Sequence, residues 1–324
     1  MEGRGVLLKN AVVDIGREDL KSIAPLAHKL VKLYDQMGGF SSQFVARAAE
    51  IMREMIQDEE CTVFLAFTAN LMATGLRGVL AALVREGFVD AIVTTGGTFD
   101  HDIARSLGSY YSGDFELDDH MLQELGIHRL GNVLVPRDKY GPVVEEFTHR
   151  MLEDLVRVKS RWTPSELAQE IGKRLGDANS VLAAAAERGV PVFSPGLVDS
   201  AFGTAFFTFR ETGRSRGFSL ELDVLGDLSR ISDLVMESEK IGAIVLGGGI
   251  SKHHVIWWAQ FKGGLDYAVY ITTATEFDGS LSGARTREAI SWGKLKPEAR
   301  HVTVPADATI VFPIIAAALL GERE

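Results

Sequence analysis

The chain has 324 residues, 46% apolar and 24% charged, which excludes low-complexity disorder, because disordered chains lack the apolar surface that offsets ordering entropy. Forty-four acidic residues against 34 basic ones leave a formal charge of −10, which argues against a general nucleic-acid binder, whose footprint is basic. The single cysteine, Cys61, excludes an intrachain disulfide framework and a cysteine-rich zinc site, and it fits a reducing cytoplasm.

The length accommodates one large α/β domain or two smaller ones. Residues 1–14 mix Arg4 and Lys9 with short apolar pieces and lack the core of a secretory signal. The first sixty residues read as helical, over 23–37 and 42–56, and are expected to pack on the main domain or on a neighbouring subunit. The expected division is therefore an N-terminal helical segment, 1–60, and an α/β domain, 61–324. From Cys61 onward, short apolar runs alternate with amphipathic stretches. Thr62 to Phe67 reads as a buried strand, and 70–86 as a helix whose stripe is Leu71, Leu76, Leu80, Leu83 and Val84, stopped at Gly87. The same unit recurs at Ala91-Ile92-Val93, Val133-Leu134-Val135-Pro136, Val192-Phe193, Ala243 to Leu246, Tyr267 to Ile271 and Val302-Thr303-Val304. The run 308–320, interrupted by Pro313, is too short to span a bilayer and reads as a buried terminal helix.

Strands alternating with helices predict a Rossmann-like, mainly parallel sheet with helices on both faces. Ligands of such sheets bind beyond the carboxyl ends of the strands. Here those ends carry Gly, Thr, Asp and Asn, whose small side chains and polar groups suit phosphate and ribose. The G-x-G-x-x-G fingerprint, the phosphate-binding G-x-x-x-x-G-K-[ST] and H-E-x-x-H are absent, and Gly279-Ser280-Leu281-Ser282-Gly283 misplaces the serine of a nucleophile elbow. Thr95-Gly96-Gly97 and Gly247-Gly248-Gly249 serve equally as nucleotide turns or as plain tight turns. Asp100-His101-Asp102 is a poor metal cluster, because adjacent helical residues point apart, and a helix cap suits Asp100 better. His253-His254 opens the helix after the triple glycine, where one imidazole can face the crevice and move protons while its neighbour faces elsewhere. Glu288, Trp292 and Lys294 place a carboxylate, an indole and an amine on one short helix. A desolvated lysine can form a Schiff base, an indole can stack on an alkylammonium and a carboxylate can pair with it. From physics alone, a lysine such as Lys294 is more often a solvated one past a helix end, and spacing does not separate the two readings.

The runs Glu276-Phe277-Asp278-Gly279-Ser280, Ser282-Gly283-Ala284-Arg285 and Glu288-Ala289-Ile290-Ser291-Trp292-Gly293-Lys294 resemble deoxyhypusine synthase. So do Lys252-His253-His254 after the triple glycine, Asp266 to Ile271, Asn132 to Pro136, Phe193 to Leu197, Thr68 to Leu71 and Thr94-Thr95, colinear from about Cys61 to the C-terminus. The resemblance implies NAD-dependent transfer of the aminobutyl group of spermidine, through an enzyme-lysine imine, to a lysine of the translation initiation factor 5A precursor. It implies a cytoplasmic homotetramer with sites at subunit interfaces, without metal, nucleic acid or membrane. It assigns covalent chemistry to Lys294 and proton transfer and polyamine contact to His253. It assigns NAD contact to Asn70, Thr95, Gly96, Gly97, Asp199, Gly248, Thr273, Ala274, Asp307 and Ala308. Donor contact falls to Asp100, His101, Thr204, Asp278, Gly279, Ser280, Leu281, Glu288 and Trp292.

The polyamine pocket departs from the eukaryotic pattern. His101, Thr204 and Leu281 stand where those enzymes carry acids, and Trp257 where they carry an asparagine. An ammonium buried without its carboxylate costs several kcal/mol. Either Glu288, Asp100 and Asp278 take over, or the amine donor differs; archaeal members of the family look similar, so the changes do not imply loss of activity. Two alternatives stay open at this point: a related aminobutyltransferase forming homospermidine, and a non-catalytic paralogue binding NAD or polyamine.

Overall fold

The structure, a computed structural model, describes residues 2–215 and 217–321. Six strands build the main sheet: β1 (Cys61–Phe67), β2 (Ala91–Val93), β3 (Val192–Phe193), β4 (Lys240–Leu246), β5 (Leu265–Thr272) and β6 (Leu295–Pro305). Their order is β6-β5-β4-β1-β2-β3, and every neighbouring pair is parallel. The order reverses between β1 and β4, so a crevice opens beyond the carboxyl ends of those strands, the usual ligand position in a doubly wound sheet.

Successive side chains of a strand face opposite ways, and both faces here are apolar. Val63, Leu65, Phe67, Ile244, Leu246, Val269 and Ile271 enter one core, while Phe64, Ala66, Ala243, Val245, Ala268 and Tyr270 enter the other. The first core is covered by α1 (Arg17–Met37), α2 (Phe40–Gln57), α3 (Leu76–Arg85), α4 (Gly97–Leu107) and α5 (Ala201–Ser215). The second is covered by α6 (Val224–Glu237) and α7 (Gly249–Ala259). The last helix, α8 (Ala308–Leu320), is apolar on every side, so it is buried and packs against α1. Among the described residues no helix is long and apolar enough to cross a membrane.

Three expectations need correction. The helix expected over 70–86 is two pieces, a 3₁₀ turn at Ala69–Ala73 and α3. The break comes from long-range packing: Ile15 donates its N–H to the Gly75 carbonyl, and a Cβ at Gly75 would lie 2.4 Å from the Val13 oxygen. The run Val133–Pro136 is not in the main sheet. It pairs antiparallel with Ile127–Leu130 through the two-residue turn Gly131-Asn132, and also with Tyr111–Ser112, in a separate three-stranded sheet. Gly131 has φ +59°, as such a turn requires. Finally, His253 and His254 lie in the second turn of α7 and do not open it.

Candidate active site

The residues expected to contact the cofactor fall just beyond the six strand ends. Asn70 follows β1, Thr95, Gly96 and Gly97 follow β2, and Asp199 follows β3. Gly248 follows β4, Thr273 and Ala274 follow β5, and Asp307 and Ala308 follow β6. Asn70, Thr273, Asp307 and Ala308 line one cleft of about 520 Å³, together with Gly247 and Thr68. Thr95, Gly96, Gly97, Asp199, Gly248 and Ala274 do not line that cleft, although they follow strands of the same sheet. The Thr95 hydroxyl accepts the Ala69 N–H at 3.2 Å, tying the ends of β1 and β2. Asp307 caps α8, accepting from the N–H and hydroxyl of Thr309 at 2.7 and 2.8 Å. Gly248 is pressed against the following loop, and a Cβ there would lie 2.4 Å from the Ser282 Cα.

A second, smaller cavity of about 160 Å³ is lined by Lys252, Tyr270, Gly279, Leu281, Glu288, Trp292 and Lys294, among others. Its geometry follows from the local sequence. The helix Glu288–Ser291 is only one turn long, Trp292 ends it, and Gly293 turns the chain at φ +65° into β6. Lys294 is thereby directed inward. It is 8% exposed, with its amine 5.1 Å from the Trp292 ring centroid and 5.8 Å from that of Trp257. Both indole faces are within cation–π range. His253 stacks on Trp257 with centroids 5.6 Å apart. Burial, and secondarily the nearby Lys294, hold its pKa below the ordinary histidine value, so the neutral imidazole is favoured. Asp278 sits beside Gly279 at the rim, accepting the Ser280 N–H at 2.7 Å, and that hydrogen bond lowers its pKa.

The remaining expected donor contacts are elsewhere in the protomer. The Asp100 carboxylate, 1% exposed, accepts the N–H groups of Ala201 and Phe202 at 2.9 and 2.7 Å and the Tyr140 hydroxyl at 3.0 Å. It is a cap, as its residue type suggested, but it caps α5 and not its own helix. Burial raises its pKa against the lowering by those donors. His101 pairs its Nδ1 with the Tyr110 hydroxyl at 2.9 Å, and burial pushes its pKa down to about 4. The exposed Thr204 on α5 donates to the Ser200 carbonyl at 3.0 Å. Asp102 turns the opposite way, onto Arg77 at 3.0 Å. Thus Asp100, His101 and Asp102 serve three different partners.

Lys252 is a buried cation that its sequence context does not single out. It is 1% exposed, and burial lowers its pKa to about 8, against an opposing influence of Glu288. The available signal was the composition of α7, whose buried residues include Ser251, His254, Val255, Ile256 and Ala259. A helix buried on most sides also buries its lysine.

Comparison with known proteins adds an independent line of information. A family model described as deoxyhypusine synthase matches residues 29–319. The curated "Probable deoxyhypusine synthase" of Ignicoccus hospitalis is 54% identical over 316 residues, covering 97% of each chain. That of Sulfolobus acidocaldarius is 51% identical over 315 residues, covering 97% of this chain and 98% of the relative. Among solved structures, a candidate deoxyhypusine synthase from Entamoeba histolytica superposes with TM-score 0.61 at 27% identity, covering 90% of this chain and 91% of the other.

Proposed function

The chain belongs to the deoxyhypusine synthase family and is an aminobutyltransferase, and from that premise we propose that it carries the 4-aminobutyl group of spermidine, with NAD, to one lysine of the translation initiation factor 5A precursor. The observation that carries the proposal is Lys294, a nearly buried amine facing two indoles in a pocket that Glu288 also lines.

The residues at the strand ends fit a dinucleotide. The amino ends of α4, α7 and α8 all lie on the carboxyl side of the sheet, where helix dipoles favour a phosphate. Asn70, Thr273 and Asp307 supply polar groups in the adjoining cleft. The chemistry supplied by bound NAD is removal of hydride from the donor carbon beside the secondary nitrogen and its return to the final imine, so the net transfer is redox-neutral.

Glu288 pairs with a donor ammonium, and Trp292 and Trp257 offer their faces to the alkylammonium chain. Lys294 must lose a proton to attack, and neutral His253 beside it is the acceptor. The Lys294 nitrogen adds to the oxidised donor carbon. The bond from that carbon to the departing nitrogen then breaks, 1,3-diaminopropane leaves with the proton, and the four-carbon piece stays as an imine on Lys294. The acceptor lysine adds to the same carbon and displaces Lys294, which is thereby regenerated.

We assign the assembly as a homotetramer in which a second copy completes the site. Trp292, which lines the lysine pocket, is 66% exposed, Trp257 is 44% exposed and its neighbour Phe261 56%, aromatic surface that a partner would cover. Asp100, His101 and Thr204 lie away from Lys294 in the same protomer and would reach a donor only across such an interface. Incubation with NAD, spermidine labelled in its butyl portion and the factor precursor tests the reading. Label is expected in the precursor, with equimolar diaminopropane. Label confined to small polyamines, or accumulating NADH, would contradict it.

A further inference from the structure

The loop 279–285 separates the glycine turn after β4 from the lysine pocket and touches both. On one side, Gly249 donates its N–H to the Ser282 hydroxyl at 3.1 Å, in addition to the close contact of Gly248 with Ser282. On the other side, Gly279, Leu281, Ala284 and Arg285 line the cavity of Lys294. Through the middle runs Lys252. Its ammonium donates to the Leu281 carbonyl at 2.8 Å and the Ala284 carbonyl at 2.5 Å, and it lies 4.3 Å from the Tyr270 ring centroid. No carboxylate among the described residues forms an ion pair with it. A buried ammonium held by carbonyls and a ring face, with Glu288 acting only from a distance, is costly to desolvate. Methionine would fill the same volume without that cost, so packing alone does not call for a lysine.

We propose that Lys252 is a positioning residue for the transfer: it clamps the main chain of residues 281–284 from α7 and β5, fixing the turn at Gly248 and the wall of the Lys294 pocket in one register. The inference rests on the aminobutyl-transfer reading. Displacing reacting groups by about 1 Å costs on the order of a hundredfold in rate, so loosening this loop is expected to slow chemistry by shifting the main chain of the pocket wall.

The test compares the wild-type protein with Lys252→Met, and with Lys252→Gln, which keeps a neutral donor, should the first fail to fold. The protein is incubated with NAD and spermidine, the imine is reduced with cyanoborohydride, and the adduct on Lys294 is followed by mass spectrometry. Thermal midpoint, NAD binding and hydrogen exchange of the 279–285 amides are measured in parallel. The expected result is a folded variant with loop amides exchanging at least tenfold faster, NAD bound several-fold more weakly, and adduct forming ten- to a hundredfold more slowly at saturating NAD. Undiminished adduct formation, or a rate loss no larger than the fraction of protein unfolded, would overturn the role of Lys252. No adduct in the wild-type protein would instead refute the transfer reading on which it rests.

Discussion

Arg77 and Lys294 are both nearly buried cations, yet their surroundings differ. Arg77, 2% exposed, is matched by Asp14 at 2.7 Å, Asp102 at 3.0 Å and Asp177 at 2.5 Å. Asp102 also accepts the Ser180 hydroxyl and the Leu182 N–H at 2.8 Å. These contacts tie the N-terminal segment to α3 and α4. Lys294 instead faces two indoles and lines a cavity. Arg77→Met is therefore expected to cost about 3–5 kcal/mol in urea unfolding, because the charge of Asp102 would stay buried and uncompensated. The buried histidines give a pH prediction. His101 and His254 have pKa values pushed by burial down to about 4, with Arg105 and His253 respectively adding to the effect. An unfolded histidine titrates near about 6.5. As pH falls below that value the unfolded chain takes up protons that the native one refuses. The contribution is thus complete above about 6.5 and lost progressively toward about 4. Unfolding midpoints should drop across that window, and the drop should be smaller in His254→Asn.

At the scale of elements, the strand ends were the most legible part of the molecule. Val63 to Phe67 and Ala243 to Leu246 are continuous apolar runs because both faces of a parallel sheet are buried, and the polar or glycine residues after them mark where the sheet opens. The break before α3 was not legible, because its cause, the Val13 carbonyl against Gly75, lies sixty residues away in the chain. The misplaced strand Val133–Pro136 did carry a local signal, since Gly131-Asn132 between two apolar runs is a hairpin turn. Asp100 looked like a cap, but only the fold shows that it caps α5. Asp100→Ala should therefore cost about 2 kcal/mol or more, with two N–H groups and the Tyr140 hydroxyl left unpartnered. Asp100→Asn should cost less in the same denaturation series. Gly248→Ala tests the turn itself. The added methyl must displace Ser282, so the variant is expected to fold while losing NAD binding by at least tenfold, read by calorimetric titration.

For the whole molecule, the charge of −10 suits a polycationic donor and a lysine-presenting acceptor, since a negative field raises encounter rates with cations. The field says nothing about the pocket, where Leu281 and Glu288 share the lining with Lys252 and Lys294. What the sequence carried at this scale was the motif run ending at Lys294. What it could not carry was the separation of the strand-end cleft from the lysine cavity within one chain, because that follows from packing of the loops after β4 and β5. The central claim is that Lys294 carries the four-carbon group in transit. The measurement that tests it most directly is peptide mapping after reduction of the protein with cyanoborohydride in the presence of NAD and spermidine. The account predicts an aminobutyl mass increment on the peptide containing Lys294, dependent on NAD and absent from Lys294→Ala. An increment on another lysine, or none while the factor precursor is still modified, would contradict it.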